Sequence, residues 1–154
     1  MSVILERTTN HDRFAEFYKE SGLEIDTEHW IEDNCPIWSV AAWEDGLFRG
    51  AATVSLRNDR YILDYIAVSR RSRGRGLGRL LAEDCLERCR DAGCGELYLT
   101  ARAPLFFEAL GARYTGGGEL PDDCRGCPDL GKDCRPEEMK FVLRPSAENK
   151  KGVI

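Results

Sequence analysis

The residues best suited to chemistry lie in one short stretch, Val68-Ser69-Arg70-Arg71-Ser72-Arg73-Gly74-Arg75-Gly76-Leu77-Gly78-Arg79. It joins a run of β character to an amphipathic helical run. Glycines at 74, 76 and 78 let a backbone turn tightly and come close to a ligand. The first amides of a helix beginning at Leu77 lack internal partners and stand at the positive end of its dipole. Successive exposed amides make a nest for phosphate oxygens. Arg73, Arg75 and Arg79 add positive charge and paired donors. The pattern predicts a site for a small phosphorylated ligand. Two common phosphate motifs are excluded. A Walker A loop needs Gly-Lys-Ser/Thr, which is absent, and a dinucleotide fingerprint counted from Gly74 and Gly76 needs glycine where Arg79 stands.

The charge distribution agrees. The chain has 154 residues, 22 basic and 27 acidic, and a net charge of −5. Residues 57–79 hold seven arginines against Asp59 and Asp64, a local charge of +5, so the remainder carries −10. A basic patch on an acidic body suits a small anion better than a long polyanion, so no nucleic-acid partner is expected. No apolar run approaches the roughly 20 residues that cross a bilayer, so no membrane partner is expected either. The first residues do not pair a basic region with a long apolar stretch, and there are seven cysteines, an odd number. Both features predict a cytoplasmic protein with free thiols or metal ligands rather than a disulfide framework.

Three cysteines are grouped: Cys124, Cys127 and Cys134, spaced C-x2-C-x6-C. Thiolates at this spacing can grip Zn²⁺, whose structural sites take four ligands. Cys35 or a histidine would have to complete the set; a redox-labile disulfide and plain free thiols are the alternatives. Cys85 and Cys89 fall on the apolar stripe of a helix with Leu77, Leu80 and Leu81 and are expected to pack as small hydrophobes.

The elements that must position these groups can be read in order. Residues 2–7 form a strand. His11 to Ser21 and about 26–33 form two short helices. Ile37 to Trp43, Leu47 to Leu56 and Tyr61 to Ser69 make a three-strand meander, with Asp45-Gly46 as a hairpin turn. Leu77 to Ala92 is the amphipathic helix, stopped by Gly93. A strand at 96–100, a helix at 103–110, a strand at 112–115 and a last strand at 138–144 follow. The order β-α-α-β-β-β-α-β-α-β-β predicts a mixed α+β sheet flanked by helices in one domain, residues 1–144. That domain includes a Cys-rich loop at 118–136, and 145–154 is expected to be a mobile tail.

The run Arg-x-x-Gly-x-Gly at 73–78, between a strand and a helix, resembles the acetyl-CoA-binding motif of the GCN5-related N-acetyltransferase (GNAT) family. Tyr61 to Val68 is similar to that family's fourth strand, and Leu105 to Ala112 to its last helix and following turn. The resemblance implies a twisted, mainly antiparallel sheet that splays between its fourth and fifth strands. It implies that backbone amides of Arg73, Gly74, Arg75, Gly76, Leu77, Gly78 and Arg79 hold the pyrophosphate. Ile66 and Val68 would pair with the pantetheine arm as an added strand would, and the Val68 amide would be the oxyanion donor.

The implied activity is acetyl transfer from acetyl-CoA to a primary amine by direct attack in a ternary complex. Family members often carry a tyrosine acid on the last helix. Here Phe107 holds that place beside the coenzyme and has no proton to give; Tyr98 or Tyr114 would be substitutes. Asp64 is the candidate base, since strand alternation sets it on the face of Ile66 and Val68; the alternative is an exposed carboxylate paired with a loop arginine. Glu28, His29 and Glu32 lie where the family walls its acceptor site, and His29 titrates near neutrality. The segment after Leu105 to Gly111, with Leu120-Pro121, Cys127-Pro128 and Met139, is similar to the end of amino-acid N-acetyltransferases of the arginine-pathway type. It favours a small amine or amino-acid acceptor over a protein lysine. The alternative is a non-catalytic coenzyme A-binding module that uses its Cys loop for interaction. Oligomeric state, a homodimer included, is left open.

Overall fold

A computed structural model describes residues 2–115 and 137–144. Cys124, Cys127 and Cys134, with the rest of the Cys-rich loop and the segment 145–154, lie outside the described residues. The chain runs β1 (Val3–Thr8), a 3-10 turn (His11–Phe14), α1 (Ala15–Glu20), α2 (Trp30–Asn34), β2 (Pro36–Glu44), β3 (Leu47–Arg57) and β4 (Arg60–Val68). A second 3-10 turn (Arg70–Ser72), α3 (Leu77–Asp91), β5 (Glu96–Ala101), α4 (Pro104–Ala109), β6 (Arg113–Tyr114) and β7 (Glu137–Val142) complete it. This is the expected element order.

The strands form one seven-stranded sheet among the described residues, ordered β1-β2-β3-β4-β5-β7-β6. The pairings are antiparallel except β4 with β5. Two hairpins build its first half. Asp45 and Gly46 (φ 52° and 81°), and Asn58 and Asp59 (φ 52° and 62°), adopt the paired positive φ of turns whose twist matches that of the strands. The parallel pair is short. Only Tyr61–Leu97 and Ile62–Tyr98 are in register, and beyond them the two strands part.

Small residues at the centre of the sheet let a layer pack on each face. Ala42, Ala52 and Val54 face α3 with Leu81, Cys85 and Cys89. Ala41 and Ala51 face α1 and α2 with Phe14, Tyr18, Trp30 and Tyr65. Cys85 and Cys89 are buried as small hydrophobes, and burial pushes the Cys85 thiol up to about 12. At Gly50, opposite Val68, a Cβ would lie 2.6 Å from the Ala67 carbonyl oxygen and 3.3 Å from Leu81 Cδ1. Glycine at this point lets β3, β4 and α3 close on one another.

Two expectations shift. The helix expected at 26–33 starts only at Trp30. Asp26 Oδ1 accepts from the amides of Glu28 (3.0 Å) and His29 (3.3 Å), and this local turn competes with helix. Cys35, in the left-handed region at φ 55°, ends α2 ahead of Pro36. The helix expected from His11 opens as a 3-10 turn before becoming α-helical at Ala15.

A buried polar chain crosses the α1 side. His11 Nδ1 meets Ser39 Oγ at 2.7 Å, Ser39 Oγ meets Thr53 Oγ1 at 2.8 Å, and Thr53 Oγ1 meets Tyr18 Oη at 2.7 Å. Burial, with the charge of Arg88 added, lowers the His11 pKa below its usual 6.5. Below pH 6.5 the unfolded chain therefore takes up the His11 proton while the folded chain resists it. Stability should be fully present above that pH and decline as pH falls towards the folded-state pKa. Urea titrations at pH 7.5 and 5.5 should show this loss, and His11→Gln should flatten it. Gly50→Ala should cost about 1–3 kcal/mol in the same assay, because backbone rather than a flexible side chain meets the new methyl.

Candidate functional site

The glycine-arginine turn carries the chain from the end of β4 to the start of α3. Gly74 and Gly76 have φ of 81° and 82°, the left-handed region that favours glycine, and a side chain at either would strain the turn. Gly76 is the N-cap of α3, and no side chain caps this end. The amides of Leu77, Gly78 and Arg79 are therefore first-turn donors of a 15-residue helix with no acidic residue in that turn. This is a backbone surface built for an anion.

The arginine side chains behave differently from the expectation that they face the ligand. Arg73 Nε donates to the Val68 carbonyl at 3.3 Å, Arg75 pairs with Glu44, and Arg79 Nε donates to Glu83 at 2.6 Å. Their charge surrounds the turn while their forks engage protein groups.

The open edge of β4 leads directly into this turn. The Ser69 amide donates to the Arg49 carbonyl at 2.7 Å, so it faces β3. Strand alternation then turns the backbone groups of Val68 and Ile66 to the opposite edge, towards β5. They lie past Ile62, where the β4–β5 pairing ends. The wall of this gap includes a residue that the sequence did not single out. A Cβ on Gly78 would lie 3.4 Å from Phe106 Cζ and 3.7 Å from Val68 Cγ2, so Phe106, Gly78 and Val68 stand together. Phe106 remains 38% exposed, while Phe107 turns into the α3-side core and meets Phe106 edge-on at 5.0 Å. Neighbouring helix residues diverge by about 100°, a signal that could have separated the two phenylalanines.

Asp64 has a setting unlike that of a base. Thr53 pairs with Tyr65 and Val54 with Leu63, so Asp64 is the extra residue of a β-bulge. The bulge breaks the expected alternation. Leu63 packs in the same cluster as Ile66 and Val68, whereas Tyr65 joins the α1–α2 cluster. The Asp64 carboxylate is held by Arg57 at 2.5 and 3.0 Å and by the Asn34 amide at 3.2 Å. Three donors occupy a side chain that is only 8% exposed.

His29 lies on the surface with Nδ1 3.1 Å from Asp26 Oδ2, and that hydrogen bond raises its pKa. A raised pKa leaves less neutral imidazole to accept a proton. The Tyr98 hydroxyl donates to Glu96 at 3.1 Å, and Tyr114 on β6 engages Glu108. Both hydroxyls are thus directed at carboxylates. The expected zinc ligands Cys124, Cys127 and Cys134 lie outside the described residues. Among the described residues, no three His, Cys, Asp or Glu side chains gather as a metal site. Among the same residues, no helix is long and apolar enough to cross a membrane.

The same fold recurs in solved structures. No curated protein sequence matches the chain. Among solved structures, the ribosomal-protein-S18-alanine N-acetyltransferase from Escherichia coli superposes with a TM-score of 0.69 at 18% identity, covering 96% of this chain and 98% of that one. N-acetylglutamate synthase from Neisseria gonorrhoeae, complexed with coenzyme A and N-acetyl-glutamate, superposes with a TM-score of 0.67 at 18% identity. That match covers 94% of this chain but 36% of the synthase, so the chain spans about a third of that enzyme. The model of the family described as "Acetyltransferase (GNAT) family" matches residues 5–112, well over half of the sequence. The chain therefore belongs to the GNAT family of acetyltransferases.

Proposed function

We propose that this acetyltransferase moves an acetyl group from acetyl-CoA to the primary amine of a small molecule or amino acid, by direct attack in a ternary complex. One observation carries the reading: the edge of β4 left open beyond Ile62 runs straight into uncapped helix amides. An extended arm with an amide-rich backbone fits the first, and a pyrophosphate fits the second. Gly78 fits as well, standing beside Phe106 and Val68 without a side chain of its own. The synthase whose fold this chain shares was solved with coenzyme A and an N-acetylated amino acid, which supports both the cofactor and the acceptor class.

In this reading acetyl-CoA supplies the electrophilic thioester carbonyl. The backbone of Arg73 to Arg79 binds the pyrophosphate, and Ile66 and Val68 pair with the arm. The Val68 amide donates to the carbonyl oxygen as negative charge gathers on it. Phe106, on the wall of the gap, excludes water beside the arm. Phe107 leaves the thiolate to depart without a protein acid. Asp64, clamped by Arg57, keeps the bulge in place instead of taking the amine proton. The amine must therefore arrive neutral, and kcat/KM should rise with pH towards the acceptor's own pKa.

Acetyl-CoA at 100 times its Kd should stabilise the protein by about 2.7 kcal/mol in a thermal-shift assay. No shift at millimolar acetyl-CoA would remove the cofactor assignment. A thiol-release screen across amines and amino acids should find turnover. Binding without release for any acceptor would instead favour a coenzyme A-binding module, the reading that Phe107 invites. Asp64→Asn should lower stability by about 3 kcal/mol, as loss of one partner from a buried pair does. Its kcat/KM profile should keep the wild-type pH midpoint; a displaced midpoint would return Asp64 to the role of base.

A further inference from the structure

Glu44 is the last residue of β2, paired with Val3 and Leu47 at the sheet end nearest the glycine turn. It is a carboxylate that is 3% exposed. Its Oε1 accepts from Arg75 and stands 3.6 Å from Arg49 Nε. Glu44 Oε2 and Arg49 Nε are both buried, and neither has a hydrogen-bond partner among the described residues. Such a cluster is costly, because desolvated charges with unmet hydrogen bonds weaken a fold. Stability alone does not account for it.

Its location does. Arg49 holds the start of the turn through its carbonyl, which accepts the Ser69 amide at 2.7 Å. Glu44 holds the tip through Arg75, between the two glycines at positive φ. One buried carboxylate at the end of the sheet thus braces the tip of a turn whose first residue hangs from the neighbouring strand. Both flanking glycines are conformationally permissive, so the turn needs such an external tie to keep its amides aimed.

We propose that Glu44 is a positioning residue for acetyl-CoA: through Arg75 and Arg49 it fixes the glycine turn in the conformation that binds the pyrophosphate. This rests on the cofactor assignment made above. The role is distinct from supplying charge. Glu44 is negative, so it weakens the local attraction for phosphate while it orders the backbone.

The two effects separate in Glu44→Gln. Positioning predicts a Kd and KM for acetyl-CoA raised about tenfold, as when an outer residue that orients a binding group is lost. It also predicts a kcat within about twofold of wild type, because the acyl end of the site is untouched. Adding Glu44→Gln to Arg75→Gln should cost less than the sum of the two single changes, since they share the Glu44–Arg75 contact. An unchanged or lowered Kd in Glu44→Gln would overturn the proposal, and so would full additivity in the double variant. Should Glu44→Gln not fold, Glu44→Met removes the orphan oxygen with similar length and must show the same loss of affinity. Wild-type protein titrated in parallel keeps the two readings apart. If it fails to bind acetyl-CoA, the cofactor assignment falls and this proposal with it; if it binds and Glu44→Gln binds equally well, only the positioning role falls.

Discussion

The parallel ladder between β4 and β5 ends after Ile62 and Tyr98, and most of what surrounds the site follows from that break. A strand edge inside a sheet presents backbone donors and acceptors that must be paired by something. On its other edge β4 pairs with β3 from Arg60 to Val68, interrupted at the Asp64 bulge. Its free edge is then a place inside the sheet where an extended ligand can join it. The chain leaves this edge at Val68 and enters α3 within nine residues, so the strand-like part of a ligand and its phosphates are served by one continuous segment.

Holding the strands apart without collapse requires support from both faces. α3 packs Leu81, Cys85 and Cys89 against the alanines of β2 and β3. On the opposite face Tyr65 stacks on Tyr18 at 4.9 Å and meets Trp30 edge-on at 5.5 Å, which anchors β4 just beyond its bulge. The Arg57–Asp64–Asn34 clamp ties that bulge to the end of α2. Arg102, just beyond β5, donates to the Gly22 carbonyl at 2.9 Å and links the far side of the gap to the loop after α1. The gap is thus bounded by packed elements rather than by loops alone.

Much of this was legible in the sequence for identifiable reasons. The glycines at 74 and 76 mark left-handed backbone that few other residues tolerate, and Asp45-Gly46 marks a hairpin by the same physics. The helical stripe of Leu77, Leu80, Leu81, Cys85 and Cys89 is local and periodic, and all but Leu80, which is 40% exposed, are buried. What escaped depends on long-range geometry. A bulge has no local signature, so simple alternation set Asp64 on the wrong face. An arginine 31 residues from its carboxylate partner reads as free charge until the sheet brings Glu44 to Arg75. Phe107 reads as the residue beside the coenzyme, although the helix points Phe106 at the gap and Phe107 into the core.

The central claim is that uncapped amides of the glycine turn and the free edge of β4 together bind one cofactor. Following backbone amide resonances during a titration with coenzyme A tests it directly. The account predicts that Gly74, Gly76, Gly78 and Val68 shift together and saturate at one ligand concentration. Saturable binding that leaves these four amides unmoved while resonances elsewhere shift would contradict it.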